Sequence, residues 1–578
     1  MTQDLTSEVL RNALVVAAEE ASVVVVRSAY STFIVEGSDA SSAILDKNGR
    51  LVAQSMATTL MNSMALSVAL PFLLEDFPLD QMRPGDVYMT NDAYRGGIHT
   101  NDLLVFRPVF VDDAVEYFTS TLIHVSDLGG ASAGGMAALA TEIFAEGLQL
   151  PSVRVATSDG LDEQIMRILA INSRTPEKVL GDVRALIAGT QVAATRVAEL
   201  VETYGAAGLA EGITAYLDHT EQRMRAALEG FDHATFSAEY PIDDDGIHAN
   251  VSYLIKAAVT VGGGRIRVDF SGTDDQVPAA INASLSQSMA AAVFAVRCFL
   301  DPTIPMNDGC LRVMDIDLPS GSLLNAQSPF PCGGRFVACY AAIEAIWQAL
   351  SGAFPDRAIA ASGILQPFTI AAQDAPYWIH LAYDFGGVGA RHGKDGPDAT
   401  GVHFGLGRNA VPQVEPVEDR CPFVVETIDL VPDTGGAGRW RGGLGTRTVF
   451  QLLAPAYVTT RGDRLRISPP GRDGGEGGVV GGFFRRSADG HVVRLPAKMN
   501  NEPFGAGDAF IVETTGGGGI GDPLTREPEL VLSDVIDGRV SAEAAATTYG
   551  VVMTADRRID DDGTAAARSR RETTTAAG

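Results

Sequence analysis

The sequence predicts an α+β protein of several domains, built on mixed, mostly antiparallel sheets with helical segments between them. Three observations predict this class. At 578 residues the chain exceeds what one compact core fills. Short apolar runs stand in pairs joined by turn residues, the signature of antiparallel hairpins. The hydrophobic period changes along the chain from helical spacing to two and back.

Leu5, Val9, Leu10, Leu14 and Val15 recur at helical spacing, so the chain opens with an amphipathic helix. Residues 42–46 and 51–54 flank Lys47-Asn48-Gly49-Arg50, a hairpin with an Asn-Gly turn. A helix over 68–77 and a strand over 86–90 lead to the Gly-rich stretch Arg95-Gly96-Gly97. Runs 103–111 and 115–125, with Asp112-Asp113 between them, form a second hairpin. Residues 162–230 are helical and close a first domain over 1–232. A second domain, 233–385, carries a hairpin around Gly262-Gly263-Gly264 and helices over 287–300 and 336–350. A Gly-rich β domain over 386–553 ends in a helical stretch, 527–549, and the polar tail 554–578 is expected to be disordered.

Hydrophobic residues at 46% and charged residues at 20% describe a folded chain. A net charge of -28 repels polyanions, so nucleic acid is excluded as a partner. The five cysteines form no C-x-x-C pair and read as buried free thiols. The N-terminus has no basic region of the signal-peptide kind, and the apolar stretch 13–26 is broken by Glu19 and Glu20. No membrane-spanning segment and a cytoplasmic location are expected.

Two of the nine histidines stand among carboxylates: His99 with Asp102, and His124 with Asp127. If Asp112-Asp113 make the turn, partner numbers across the second hairpin total 225, which sets Asn101 opposite His124 and His99 opposite Ser126. An odd total puts Asp102 and His124 on opposite faces; a three-residue loop or a bulge would put them on one. Mixed imidazole and carboxylate donors suit zinc or manganese better than calcium or magnesium. A lone histidine is more often a satisfied polar residue, and spacing alone leaves the two readings even.

Other candidates carry less. The run Gly516 to Gly519 lacks the Lys-Ser/Thr of a phosphate loop and reads as a tight turn. Gly130-Ala131-Ser132-Ala133-Gly134 matches G-x-S-x-G but follows an antiparallel hairpin, so it reads as a loop. Cys332, in Pro331-Cys332-Gly333-Gly334-Arg335, has no recognisable base partner. Arg439, Arg441, Arg485 and Arg486 read as surface or domain-interface groups.

Several ordered motifs carry a family resemblance: Ser38-Asp39-Ala40-Ser41-Ser42, Asn91-Asp92-Ala93-Tyr94-Arg95-Gly96-Gly97-Ile98-His99, His124 to Gly130, Glu146-Gly147-Leu148, Pro305 to Cys310, Gly438 to Gly445 and Gly516 to Pro523. Through these, from about Glu8 to Val551, the sequence resembles the hydantoinase B/oxoprolinase family, which includes the B components of N-methylhydantoinases and relatives in caprolactam hydrolases and acetone and acetophenone carboxylases. The resemblance implies a divalent metal, zinc or manganese, on Asp39, His99, Asp102 and His124, with Asp127 as the catalytic acid/base or a residue behind the ligands. It also implies a hydantoinase A-type, actin-like partner that spends ATP with Mg²⁺ to phosphorylate an amide or enolate oxygen, in an (αβ)2 or larger hetero-oligomer. The implied activity is hydrolysis of a small cyclic amide of the hydantoin or oxoproline kind. Ketone carboxylation and a non-catalytic scaffold are the alternatives. The chain departs from the usual pattern at Ala93, Ile98 and Val125, where Pro, Thr and a second His are common.

Overall fold

The computed structural model describes residues 2–56, 62–229, 233–248, 250–401 and 411–575. Its first sheet contains β1 (Ala40–Asp46), β2 (Leu51–Gln54), β3 (Val87–Thr90), β4 (Asp102–Val111), β5 (Ala114–His124), β6 (Val153–Thr157) and β7 (Gly160–Leu161). The order is β2-β1-β5-β4-β3-β6-β7, and every neighbouring pair is antiparallel. Both faces are covered. Leu45, Leu104, Phe106, Phe118 and Leu122 join one hydrophobic cluster with α3 (Asn62–Asp76). Ile44, Leu103, Val105 and Ile123, one step out of phase, pack toward α1 (Thr2–Ser28) and α5 (Pro176–Ala227), which is broken at Gly205 (φ 73°). The central strands are therefore buried along nearly their whole length. Between the outer helices, α2 (Thr32–Gly37) leads into β1, and α4 (Glu163–Ile171) starts from Asp162, whose carboxylate accepts the Gln164 and Ile165 amides.

The second sheet, in the order β11-β10-β9-β8, comprises β8 (Ala234–Ile242), β9 (Tyr253–Gly262), β10 (Arg265–Asp269) and β11 (Met314–Asp317). Only the β10–β11 pair is parallel. The short α7 (Asp308–Leu311) precedes β11 and starts from Asn307, whose side chain accepts the Gly309 amide. Burial alternates along β9, as expected for a sheet with one wet face. Its dry face meets α8 (Phe336–Ala353), which also packs on α6 (Leu285–Leu300). Against expectation, α8 has the length and composition to cross a bilayer. It is a core helix instead: 83% of it is buried inside the protein.

The third sheet, β13-β12-β16-β19, joins β12 (Leu365–Ala372) and β13 (Ile379–Phe385) to β16 (Ala456–Arg461) and β19 (Lys498–Phe504). It therefore pairs strands from both sides of residue 385, where the sequence reading placed a domain boundary. The fourth, β14-β15-β20-β17-β18, holds β14 (Phe423–Leu430), β15 (Thr446–Leu452), β17 (Gly482–Arg486), β18 (Val492–Leu495) and β20 (Ala509–Glu513). Phe368, Phe423, Phe450, Phe483, Phe504 and Phe510 fill the space between these two sheets.

Beside them the glycine-rich segments run backbone against backbone. Gly436 N–H donates to Gly517 O (2.8 Å), Gly517 N–H to Gly443 O (2.9 Å) and Gly443 N–H to Val388 O (2.8 Å). A Cβ on Gly517 would lie 2.2 Å from Val388 O, so the run is glycine because carbonyls occupy that space. The tail expected to be disordered forms a helix over Asp561–Thr575. Arg568 from it donates to the Tyr549 (3.2 Å) and Arg526 (2.6 Å) carbonyls, which anchors the segment.

Candidate metal centre

The second hairpin sets the centre's geometry. Next to the Asp112-Asp113 turn, Phe110 pairs with Val115 and Val111 with Ala114, the expected total of 225. Between Val109 and Phe110 the register shifts, and from Val109–Tyr117 onward partners total 226. Glu116 is the extra residue. Its carbonyl accepts the Lys47 amide (3.0 Å) and its carboxylate meets Lys47 Nζ (2.9 Å), which pins the bulge to the end of β1. Asp102 therefore faces His124 directly across the ladder. On the other side of β5, Ala40 pairs with Ile123, so Asp39, one residue earlier, comes level with His124. Asp39, His124 and Asp102 form one row on one face, at the edge where the three strands begin or end.

His99, from the loop before β4, completes the group. His99 Nε2 lies 3.2 Å from Asp102 Oδ2 and 3.1 Å from His124 Nδ1, and His124 Nδ1 lies 3.4 Å from Asp102 Oδ1. Donors bound at about 2.0–2.1 Å around a tetrahedral ion stand roughly 3.3–3.4 Å apart, so these separations fit a single small cation. All three residues are buried, and Asp102 Oδ1 and His124 Nε2 have no hydrogen-bond partner among the described residues. Burial, then Arg335, His124 and Arg461, hold the His99 imidazole well below its ordinary pKa, so it is neutral and has a lone pair to give. The Asn101 amide reaches His99 Nδ1 at 3.3 Å, too long a contact to fix the tautomer.

Of the five residues expected here, His99, Asp102 and His124 converge, with one ligand atom from each within 4.8 Å of the others. Asp39 is not among these three but lines the same cavity. Asp127 is fully buried and does not line that cavity. Its carboxylate accepts the amides of Gly134 (3.0 Å), Gly129 (3.3 Å) and Arg174 (2.7 Å) and pairs with the Arg174 guanidinium at 2.9 Å. It thereby fastens the loop after β5 to the approach to α5. Ile98 and Val125 pack into the two hydrophobic clusters, one on each face of the first sheet.

The cavity spans about 660 Å³, a figure that includes the solvent at its open mouth. Phe33, Leu365, Leu381 and Tyr383 give it an apolar side. Two residues that spacing did not mark, Arg335 and Arg461, give it a cationic one. Arg335 donates to Asp102 Oδ2 at 3.1 Å. Behind the loop 331–335, the buried Glu146 accepts the Gly333 (2.6 Å) and Cys332 (3.3 Å) amides, and burial pushes its carboxyl up to about 7. Burial, with Glu146 beside it, also holds the Cys332 thiol well above its ordinary pKa, the inert thiol expected from sequence. Ser132 precedes a short 3-10 turn, Ala133–Gly135, and does not stand at a strand-to-helix elbow.

Residues 3–523 match the sequence profile described as hydantoinase B/oxoprolinase. The chain belongs to that family. A relative from Pseudomonas sp. (strain NS671), provisionally designated the B component of a D-/L-hydantoinase, is 31% identical over 93% of both chains. The β chain of the Pseudomonas jessenii caprolactamase is 29% identical over 97% of this chain and 98% of its own length. The crystal structure of the ATP-dependent caprolactamase from Pseudomonas jessenii superposes with a TM-score of 0.88 at 27% identity, covering 98% of this chain and 99% of that one. A nucleotide-free acetone carboxylase shares the fold, with a TM-score of 0.87 at 20% identity over 99% of this chain and 83% of that one. The hydantoinase B/oxoprolinase family thus contains components of ATP-dependent cyclic-amide hydrolases and shares its fold with a carboxylase.

Proposed function

We propose that the chain is the metal-dependent component of an ATP-dependent cyclic-amide hydrolase, opening a hydantoin- or oxoproline-like ring whose carbonyl oxygen has been phosphorylated. A hydantoinase A-type, actin-like partner carries out that phosphorylation with ATP and Mg²⁺ in the cytoplasm, within an (αβ)2 or larger assembly. The observation that carries this reading is the buried His99–Asp102–His124 cluster, at ligand spacing, beside a cavity with one apolar and one cationic side. Asp39 supplies the fourth donor from the same row. A zinc or manganese ion held there would supply Lewis-acid chemistry, polarising a carbonyl and lowering the pKa of a water near neutral pH.

The chain's own residues do the rest. Phe33, Leu365, Leu381 and Tyr383 take the apolar part of the ring and exclude bulk water. Arg335 orients the Asp102 carboxylate through its 3.1 Å hydrogen bond. Asp127, held by Arg174, is a positioning residue for the loop beside the centre. Ring opening of an O-phosphorylated amide consumes two waters and yields a carboxylate, the released nitrogen (an amine from an oxoproline-like ring, a ureido group from a hydantoin) and dihydrogen phosphate. A chain that only scaffolds a complex has no use for a buried set of ligand atoms.

The test is reconstitution with the A-type partner and hydantoin or 5-oxoproline. Ring opening should require ATP, need no bicarbonate, stop on metal removal by a chelator and return with zinc or manganese. Turnover of a ketone that depends on bicarbonate would replace this reading with a carboxylase, and full activity in metal-free protein would remove the metal centre from it.

A further inference from the structure

The cavity's cationic side has no counterpart in the metal cluster. Arg461, at the end of β16, is 3% exposed. Its two Nη groups donate to the carbonyls of Gly333 and Gly135, while Nε is buried without an acceptor among the described residues. Arg335 spends one Nη on Asp102, and its Nε is likewise buried and unpartnered. Arg335 also begins α8, an 18-residue helix whose start has no side-chain cap and stands at the cavity wall through Arg335 and Phe336. The Arg335 and Val337 amides already donate to the Cys332 and Gly334 carbonyls (3.1 Å each), so the helix start adds its dipole and not an open cradle.

Charge points the same way. The two guanidiniums and a divalent ion bring four positive charges to the carboxylates of Asp39, Asp102 and Glu146. Glu146 gives its oxygens to two backbone amides, and no hydrogen bond joins it to either arginine. The two Nε atoms are enclosed, but both guanidiniums line the cavity, and Asp102 takes only one Nη of Arg335, which leaves the other for an incoming acceptor. The acceptor is anionic and offers several oxygens, because a guanidinium fork pairs best with phosphate or carboxylate.

We propose that Arg335, Arg461 and the start of α8 form a phosphoryl-recognition subsite in this chain. It holds the phosphoryl group of the activated amide while the carbonyl carbon lies at the His99–Asp102–His124 cluster. The inference rests on the proposed function and extends it: the phosphorylated species is handed to this chain, and the released phosphate leaves from here.

The probe is inorganic phosphate, titrated calorimetrically into the metal-loaded full-length chain, with acetate as the competing carboxylate. Phosphate should bind, acetate should bind at least tenfold more weakly, and Arg461→Gln at unchanged metal content, or Arg335→Gln held in saturating metal because it also unties Asp102, should weaken phosphate at least tenfold. Arg335→Lys, which keeps the charge and loses the fork, should fall between. Should Arg461→Gln not fold, Arg335→Gln decides. Wild-type phosphate affinity in the glutamine variants, or acetate binding as tightly as phosphate through the same arginines, overturns the subsite. Ring opening by the wild-type reconstituted pair is read separately, so a negative phosphate result with intact turnover rejects this inference and spares the proposed function.

Discussion

At the scale of single residues, two carboxylates that sequence placed side by side in importance have different surroundings. Asp39 lies in the row of Asp102 and His124 and on the cavity wall. Asp127 is consumed by three backbone amides and Arg174. Asp39→Ala should therefore weaken metal affinity by about 100-fold, somewhat more than loss of a residue behind the ligands, which costs about 10–100-fold. Asp127→Asn should keep stoichiometric metal and lose about 1–3 kcal/mol of stability, because the partly buried Arg174 guanidinium loses its charged acceptor. Elemental analysis after dialysis, with thermal unfolding of both variants, checks the pair. Full metal retention in Asp39→Ala would remove it from the ligand set. No spacing argument reaches Asp39, sixty residues before His99, and only the family resemblance picks it out. Strand register then explains why it belongs there.

At the scale of elements, the hairpin, its turn and its two histidines were legible in the sequence, but its phase was not. Strand phase is read from alternation, and β4 and β5 are covered on both faces, so nearly every residue in them is buried and no polar side alternates with an apolar one. The bulge at Glu116 is invisible in such a run, yet it alone brings Asp102 opposite His124. Deleting Glu116 removes the extra residue and closes the ladder regularly, with Val109 still opposite Tyr117 and Asp102 still opposite His124. The deletion should therefore bind metal as the wild type does and keep a near-native far-ultraviolet circular dichroism spectrum. Glu116→Ala, which keeps the bulge and removes only the half-exposed pair with Lys47, should hold metal as the wild type does and change stability by about 1 kcal/mol or less. Loss of metal by the deletion would show that the shape of the bulge, and not the pairing beyond it, builds the centre.

At the scale of the whole molecule, the cavity is a joint product of segments far apart in sequence: Asp39, His99 and His124 from the first sheet, Arg335 from the start of α8, and Arg461 from the third sheet. No local pattern could have placed the two arginines there, nor shown that the third sheet crosses residue 385. The assembly is held by buried charge as well as apolar packing. Arg464, just beyond β16, donates to Glu344 of α8 at 3.1 Å and to the Ser362 carbonyl, and lies 4.5 Å over the ring of Tyr240 in β8. One guanidinium thus ties α8 and the second sheet to the third. Glu344→Gln keeps the acceptor for the Ser362 amide (2.9 Å) and removes only the charge, leaving a buried cation without its partner. This should cost about 3–5 kcal/mol, and the added change Arg464→Met should recover much of it, because two apolar groups need no counter-charge. Since the parts share this junction, calorimetry should show wild type and both variants unfolding in a single transition that moves as a whole. Separate transitions, with only one shifted by Glu344→Gln, would mean that the sheets fold independently and that the cavity between them opens without unfolding.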